Sequence, residues 1–380
     1  HWTGRGMTWN SMCASCHNTR LRKNYDPATD AYHTRAAEVA VGCESCHGPM
    51  RAHTDWQRKY AGAAVKPPTD PTVTRLSRDQ MLHTCAPCHA RRGELTGDFK
   101  PGDHFFDHFT LTIPDETDVF HPDGQVRDED YEFTSFLSSR MHAAGVRCVD
   151  CHEPHSSKPR VPGNLLCLTC HAGTPPTVPG LPLVPKIDPL AHSHHRSETE
   201  PGGRCVDCHM PLTTYMQRHP RLDHGFTIPD PLLTKQFGIP NACNRCHQDK
   251  NADWSLGHVE QWYGGKMNRP SRTRAQWVAM ARTNAPSSAA NLERLLQVET
   301  NSLWRAVGVG LARRWLNETN LAETLLRHLT DADPLVRATA VQSLEPLAAQ
   351  PGSRANAAVQ NLLRIQVRKG SPSKRPFSVM

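Results

Sequence analysis

This chain of 380 residues contains fourteen cysteines, and none stands alone. They form seven C-x-x-C pairs: Cys13/Cys16, Cys43/Cys46, Cys85/Cys88, Cys148/Cys151, Cys167/Cys170, Cys205/Cys208 and Cys243/Cys246. A histidine follows the second cysteine every time, at His17, His47, His89, His152, His171, His209 and His247. In a C-x-x-C-H turn two thiols can add to the vinyl groups of a haem as thioethers, while the adjacent imidazole reaches the iron from the same turn. An isolated C-x-x-C would serve equally for zinc or for dithiol chemistry. A zinc site, however, needs two such pairs or additional paired histidines, and gives no reason for an invariable His at that position. Seven repeats out of seven therefore predict seven covalent haem c groups, with these histidines as proximal iron ligands.

The same reading accounts for a lean composition. Only 37% of residues are apolar and 6% aromatic, little core-forming material for so long a chain. Cysteine is too sparse for a disulfide scaffold. Haem fills the interior instead.

Net charge has to be recounted with the haems in place. The polypeptide carries +7 at pH 7, which by itself raises the question of nucleic acid. Two propionates against one net positive charge at each ferric centre contribute about −7 over seven haems, and about −14 when all are reduced. Many Arg and Lys are therefore expected as propionate partners, and nucleic-acid binding is set aside.

Sixteen histidines lie outside the motifs, more than enough to place imidazole on the second face of all seven irons. The preferred distal candidates are His53, His108, His142, His155, His194, His195 and His224. His192 belongs to the same cluster as His194 and His195, and His33, His83, His121 and Met210 are held in reserve. His155 lies three residues beyond His152, too few to carry the chain around the same porphyrin. If it is a ligand it serves a neighbouring haem, and the motif at 167 implies a closely packed pair. Which distal His serves which iron is not readable from sequence.

The last motif ends at His247, and no cysteine follows. This break divides the chain into a heptahaem region, residues 1–249, and an α-helical region with a tail, residues 250–380. The first is rich in Pro, Gly, His and Asp, so short helices bearing the motifs and long irregular connections are expected. Phe105 to Ile113 and Tyr131 to Leu137 alternate like short strands around the turn signal His121-Pro-Asp-Gly124, which predicts a small β excursion. After Ala252 the period becomes helical. Asn291 to Leu296 followed by Leu303 to Leu311 resembles Leu321 to Leu326 followed by Leu335 to Val341, with Asp333-Pro334 as a helix start. The second copy looks like a HEAT repeat. The fold class is thus mainly α with much irregular structure. No run of 18 apolar residues predicts a membrane span.

The segments His1-Trp-Thr-Gly-Arg, Trp9 to Asn24 with Tyr25-Asp-Pro-Ala-Thr, and Gly42 to Pro49 resemble a family of exported multihaem cytochromes c. Phe120-His121-Pro-Asp-Gly-Gln, Met141 to Cys148, Asn241-Ala-Cys243 and Trp262-Tyr-Gly264 continue the likeness, which spans residues 1 to 264. The resemblance implies eight haems, a helical-repeat tail, export to the periplasm or cell exterior, and electron transfer with other redox proteins. It also implies another C-x-x-C-H and a β-rich segment upstream of His1.

Three function classes follow. A non-catalytic electron carrier fits best, since histidines can saturate every iron. A terminal reductase or oxidase of a small nitrogen or sulfur compound would need one open iron face. A repeating subunit of a conductive filament or homo-oligomer would use the tail 368–380 and a distal His1 or His33 donated to a neighbour.

Overall fold

The computed structural model describes residues 8–361 except 66, 177, 216, 217 and 359. His1 and the tail 368–380, invoked for the filament reading, lie outside the described residues. The structure is mainly α-helical with long irregular connections, and its strands form only two-stranded antiparallel pairs. Among the described residues no helix is long and apolar enough to cross a membrane.

The chain divides into two compact units, residues 1–110 with 147–149, and residues 111–146 with 150–380. The compositional break near 250 lies inside the second unit.

In the first unit, the Arg78–His89 helix packs against the short Ala14–His17 and Glu44–His47 helices. Ala14 and Ala86 are fully buried on two of these helices, where small side chains allow close backbone approach. Ser77 starts the long helix with a reciprocal capping box: Gln80 N donates to its Oγ at 3.2 Å, and Ser77 N donates to Gln80 Oε1 at 3.0 Å. Phe105, Phe106 and Phe109 form an aromatic core with centroids 5.1–5.2 Å from Phe105. Arg92 lies over Phe109 at 4.1 Å and donates through Nε to Pro87 O at 2.5 Å.

The β excursion expected between the third and fourth motifs is not formed. Phe105–Asp107 is a 3₁₀ turn and Glu132–Ser138 an α-helix, with only isolated bridges at Glu94/Phe109 and Phe120/Val126. Phe133 through Leu137 are all buried, so the segment has no solvent face for an alternating strand to present. The turn signal does form: Gly124 has φ +92°, and His121 N donates to Gln125 O at 2.8 Å.

In the second unit, successive helices Pro270–Arg282, Ser288–Val298 and Ser302–Ala312 pack as neighbours, and Thr319–His328 packs on Pro334–Ala348. Leu292, Leu295, Leu303, Val307, Leu321, Leu325 and Leu344 supply the buried faces at helical spacing. Asp333 caps the last of these, accepting from Leu335 N at 2.8 Å with Pro334 in the first turn. The same helices hold residues 111–146. Trp304, 1% exposed, donates from Nε1 to Ser138 O at 3.2 Å, Asn301 Nδ2 donates to Leu137 O at 2.9 Å, and Arg282 reaches Phe120 O and Pro114 O at 2.7 Å each.

Candidate functional site

Each motif is built on a single helical turn. Positions i, i+3 and i+4 share one helix face, so the two thiols and the imidazole of C-x-x-C-H emerge together. The turns are Ala14–His17, Glu44–His47, the end of Arg78–His89, Cys148–Cys151, Asn164–His171, Cys205–His209 and Ala242–Cys246. Where the helix is only one turn long, the backbone closes it directly: His47 N and His247 N donate to Cys43 O and Cys243 O at 3.0 and 2.9 Å. All fourteen cysteines are free thiols. Among the described residues no group of three or more His, Cys, Asp or Glu is arranged to hold a metal ion directly, so the thiol pairs are not assembled as zinc sites. Paired thiols with an adjacent imidazole on one face are the donor set that covalent haem requires.

Burial keeps most of these thiols protonated, pushing Cys85, Cys151 and Cys208 up to about 11. Cys16 is the opposite case. The hydrogen bond it shares with Cys88 brings it down to about 6 against the effect of burial, with Arg92 adding, and Cys88 is raised. Cys205 and Cys167 form a similar pair, which lowers Cys205 to about 7.

The imidazoles are oriented through Nδ1. His209 Nδ1 lies 2.9 Å from Thr227 O and His47 Nδ1 lies 3.2 Å from Thr74 O. An Nδ1–H donated to a carbonyl leaves the lone pair on Nε2, the atom that meets a metal. Burial lowers the pKa values of His171, His192 and His209, which favours the neutral, coordinating form.

Three motif histidines each face a non-motif histidine. His152 and His224 have ring centroids 6.2 Å apart, His192 and His209 6.0 Å, and His195 and His247 6.5 Å. Two imidazoles on opposite faces of one iron should have centroids about 6.3 Å apart, given a metal–nitrogen bond of about 2.0 Å and about 1.1 Å more from nitrogen to ring centre. Ordinary aromatic packing covers the same range. What distinguishes these pairs is their make-up, one motif ring and one non-motif ring in each. On the non-motif side, His224 Nδ1 is 2.9 Å from Leu222 O and His195 Nδ1 is 2.8 Å from Ser193 O.

His192 was not among the preferred candidates, and the sequence offered only its membership in a cluster of three. The Pro189–Ser193 helix ends at His194, which takes a left-handed φ of +58°. That reversal lets His192 and His195 reach two different motif histidines. His194 itself stacks on Trp262 at 4.1 Å with the planes 12° apart.

The other candidates sit in different surroundings. His53 Nδ1 is held by Asp70 Oδ2 at 2.7 Å. His108 lies between Thr96 Oγ1, at 2.5 Å from Nδ1, and Asp103 Oδ2, at 3.4 Å from Nε2. His142 meets the edge of Phe136 at 5.4 Å. His155 is 80% exposed, with Nδ1 3.3 Å from Glu153 Oε1. Of the reserves, His83 packs on His104 at 4.1 Å, and His121 is pushed down to about 4 by burial and by Arg127, Arg282 and Arg245.

Three family models match parts of the chain: cytochrome c552 over residues 192–361, a doubled CXXCH motif over 142–175, and cytochrome c554 and c-prime over 3–48. No curated protein is significantly similar in sequence. Among solved structures, the outer cell wall cytochrome OcwA is similar at 19% identity and a TM-score of 0.47, over 88% of this chain and 76% of that one.

Proposed function

Because the chain is a multihaem c-type cytochrome, binding haem c covalently at C-x-x-C-H turns, we propose that it conducts electrons through seven such haems, most or all with two axial histidines. The observation that carries this reading is the set of three mixed histidine pairs at 6.0–6.5 Å. Bound haem supplies a one-electron iron(III)/iron(II) couple. The polypeptide supplies fourteen thiols for attachment, and His17, His47, His89, His152, His171, His209 and His247 as proximal ligands. His224, His192 and His195 serve as distal ligands opposite His152, His209 and His247. His53, His108, His142 and His155 are proposed for the remaining irons. His53 has the best supporting contact, because a carboxylate on Nδ1 is a common way to orient a metal-bound imidazole.

Two axial imidazoles leave no open iron face, so the reading favours a carrier over a terminal reductase. Residues 1–249 carry the redox function and residues 250–380 form a HEAT-like helical body that covers part of it. Cytochrome c maturation attaches haem on the outer side of the energy-coupling membrane, which places the protein in the periplasm or outside the cell, with other cytochromes or further copies of itself as partners. Electron paramagnetic resonance of the oxidised protein tests the ligation. Low-spin ferric signals accounting for nearly all the iron are expected, whereas a dominant high-spin signal that shifts with cyanide would overturn saturation and favour the reductase.

A further inference from the structure

The thiols of different motifs meet one another, and their contacts order the attachment sites. In the second unit, Cys151 lies close enough to Cys170 and Cys167 for their charges to interact, and Cys167 hydrogen-bonds Cys205. Asn164 ties the fifth motif to the sixth, donating from Nδ2 to Gly203 O at 3.0 Å and accepting from Cys205 N at 2.8 Å. Cys208 is close to Cys243 and Cys246, and Arg245 of the seventh motif donates to Leu212 O at 2.9 Å, just beyond the sixth. Helix packing gives the same sequence independently: Asn164–His171 rests on Cys205–His209, which rests on Ala242–Cys246.

The first unit does not follow chain order. Cys88 of the third motif hydrogen-bonds Cys16 of the first, and Cys46 of the second is close to both Cys85 and Cys88. The Arg78–His89 helix correspondingly packs against the helices of both other motifs. Arg92, just past the third motif, donates to Ser15 Oγ inside the first at 3.4 Å. The first and second motifs also touch, through Thr19 Oγ1 and Ser45 Oγ at 2.9 Å, which closes the group around the third.

A thioether sulfur is one bond from its haem substituent, so sulfurs in contact bring haem edges together. Resting on the haem reading above, we infer that the haems of the second unit form a row in chain order, fourth to seventh, while in the first unit the third haem is the common neighbour of the first and second. Electrons crossing the first unit are therefore shared through the haem attached at Cys85 and Cys88, although that motif comes last of the three in the chain. Among the fourteen cysteines only Cys43, Cys46 and Cys246 are exposed. The second site and the end of the row are thus the attachments least covered by polypeptide.

The test is an experimental structure of the holoprotein with iron positions assigned to their motifs, made on a sample whose covalent haem content is measured by pyridine haemochrome. Expected nearest iron neighbours in the second unit are fourth–fifth, fifth–sixth and sixth–seventh. In the first unit, the third iron should be no farther from the first and from the second than those two are from each other. A third iron remote from either, or a fifth iron that does not lie between the fourth and sixth, would overturn the order even with all haems present. A sample lacking covalent haem would instead defeat the underlying cytochrome reading.

Discussion

Replacing His224 by alanine probes the histidine pairs one at a time. In the structure its ring stands 6.2 Å from that of His152, with Nδ1 turned to Leu222 O at 2.9 Å. His152 and the thiols Cys148 and Cys151 are untouched by the change, so all haems should stay attached. One iron in seven then loses one axial nitrogen, which converts about 14% of the haem to the high-spin ferric state. The lost hydrogen bond costs about 1 kcal/mol at a partly exposed position, too little to unfold the protein. Low-temperature electron paramagnetic resonance, integrated against total haem, reads the fraction, and added imidazole should restore the low-spin signal. His194→Ala is the control: its ring is committed to Trp262, and no high-spin signal should appear. A His224 variant that remains wholly low-spin, or a His194 variant that turns high-spin by the same amount, would refute the assignment of distal ligands by ring separation.

Other expectations concern stability and the unassigned ligands. Trp304→Ala should destabilise the second unit by about 3–5 kcal/mol, since it empties a fully buried site, and should lower the melting temperature while leaving the haem spectrum of the folded protein intact. Asp115 is pushed up to about 6 by burial, with Glu116 adding to the effect. A raised carboxyl pKa favours the fold below its usual value of 3.8 and loses that contribution as pH rises through about 6. Asp115→Asn should therefore match the parent near pH 3.8 and exceed it at neutral pH by up to about 3 kcal/mol, read from denaturation midpoints; a gain that is the same at both pH values would contradict this. Ser77→Ala removes the capping box ahead of the third motif and should cost about 1 kcal/mol, visible as a lower melting temperature. Single alanine variants of His53, His108, His142 and His155, scored for high-spin iron, assign the remaining faces, and loss of low-spin signal is expected first for His53.

The parts of this molecule that were legible in the sequence are those fixed by local chemistry. C-x-x-C-H dictates a single helical turn, and Asp333-Pro334 dictates a helix start; both are present. Helical periodicity after residue 252 became packed helices because their leucines recur every three or four residues. The unread parts depend on contacts between distant segments. Phe133 to Leu137 looked like a strand because their burial by helices more than 100 residues away leaves no mark on their own spacing. The choice among His192, His194 and His195 turned on a left-handed backbone at His194 and on the position of Trp262, neither of which the local sequence announces. The division at residues 111, 147 and 150 likewise follows from where Arg282, Asn301 and Trp304 reach, not from composition.

The central claim is that every cysteine serves to attach haem. Pyridine haemochrome quantitation against protein mass, after extraction with acidified acetone to remove any haem that is not covalently bound, measures this directly. Seven haems per chain retained in the protein are expected from seven complete motifs. Five or fewer, or haem that leaves with the acetone, would contradict the account.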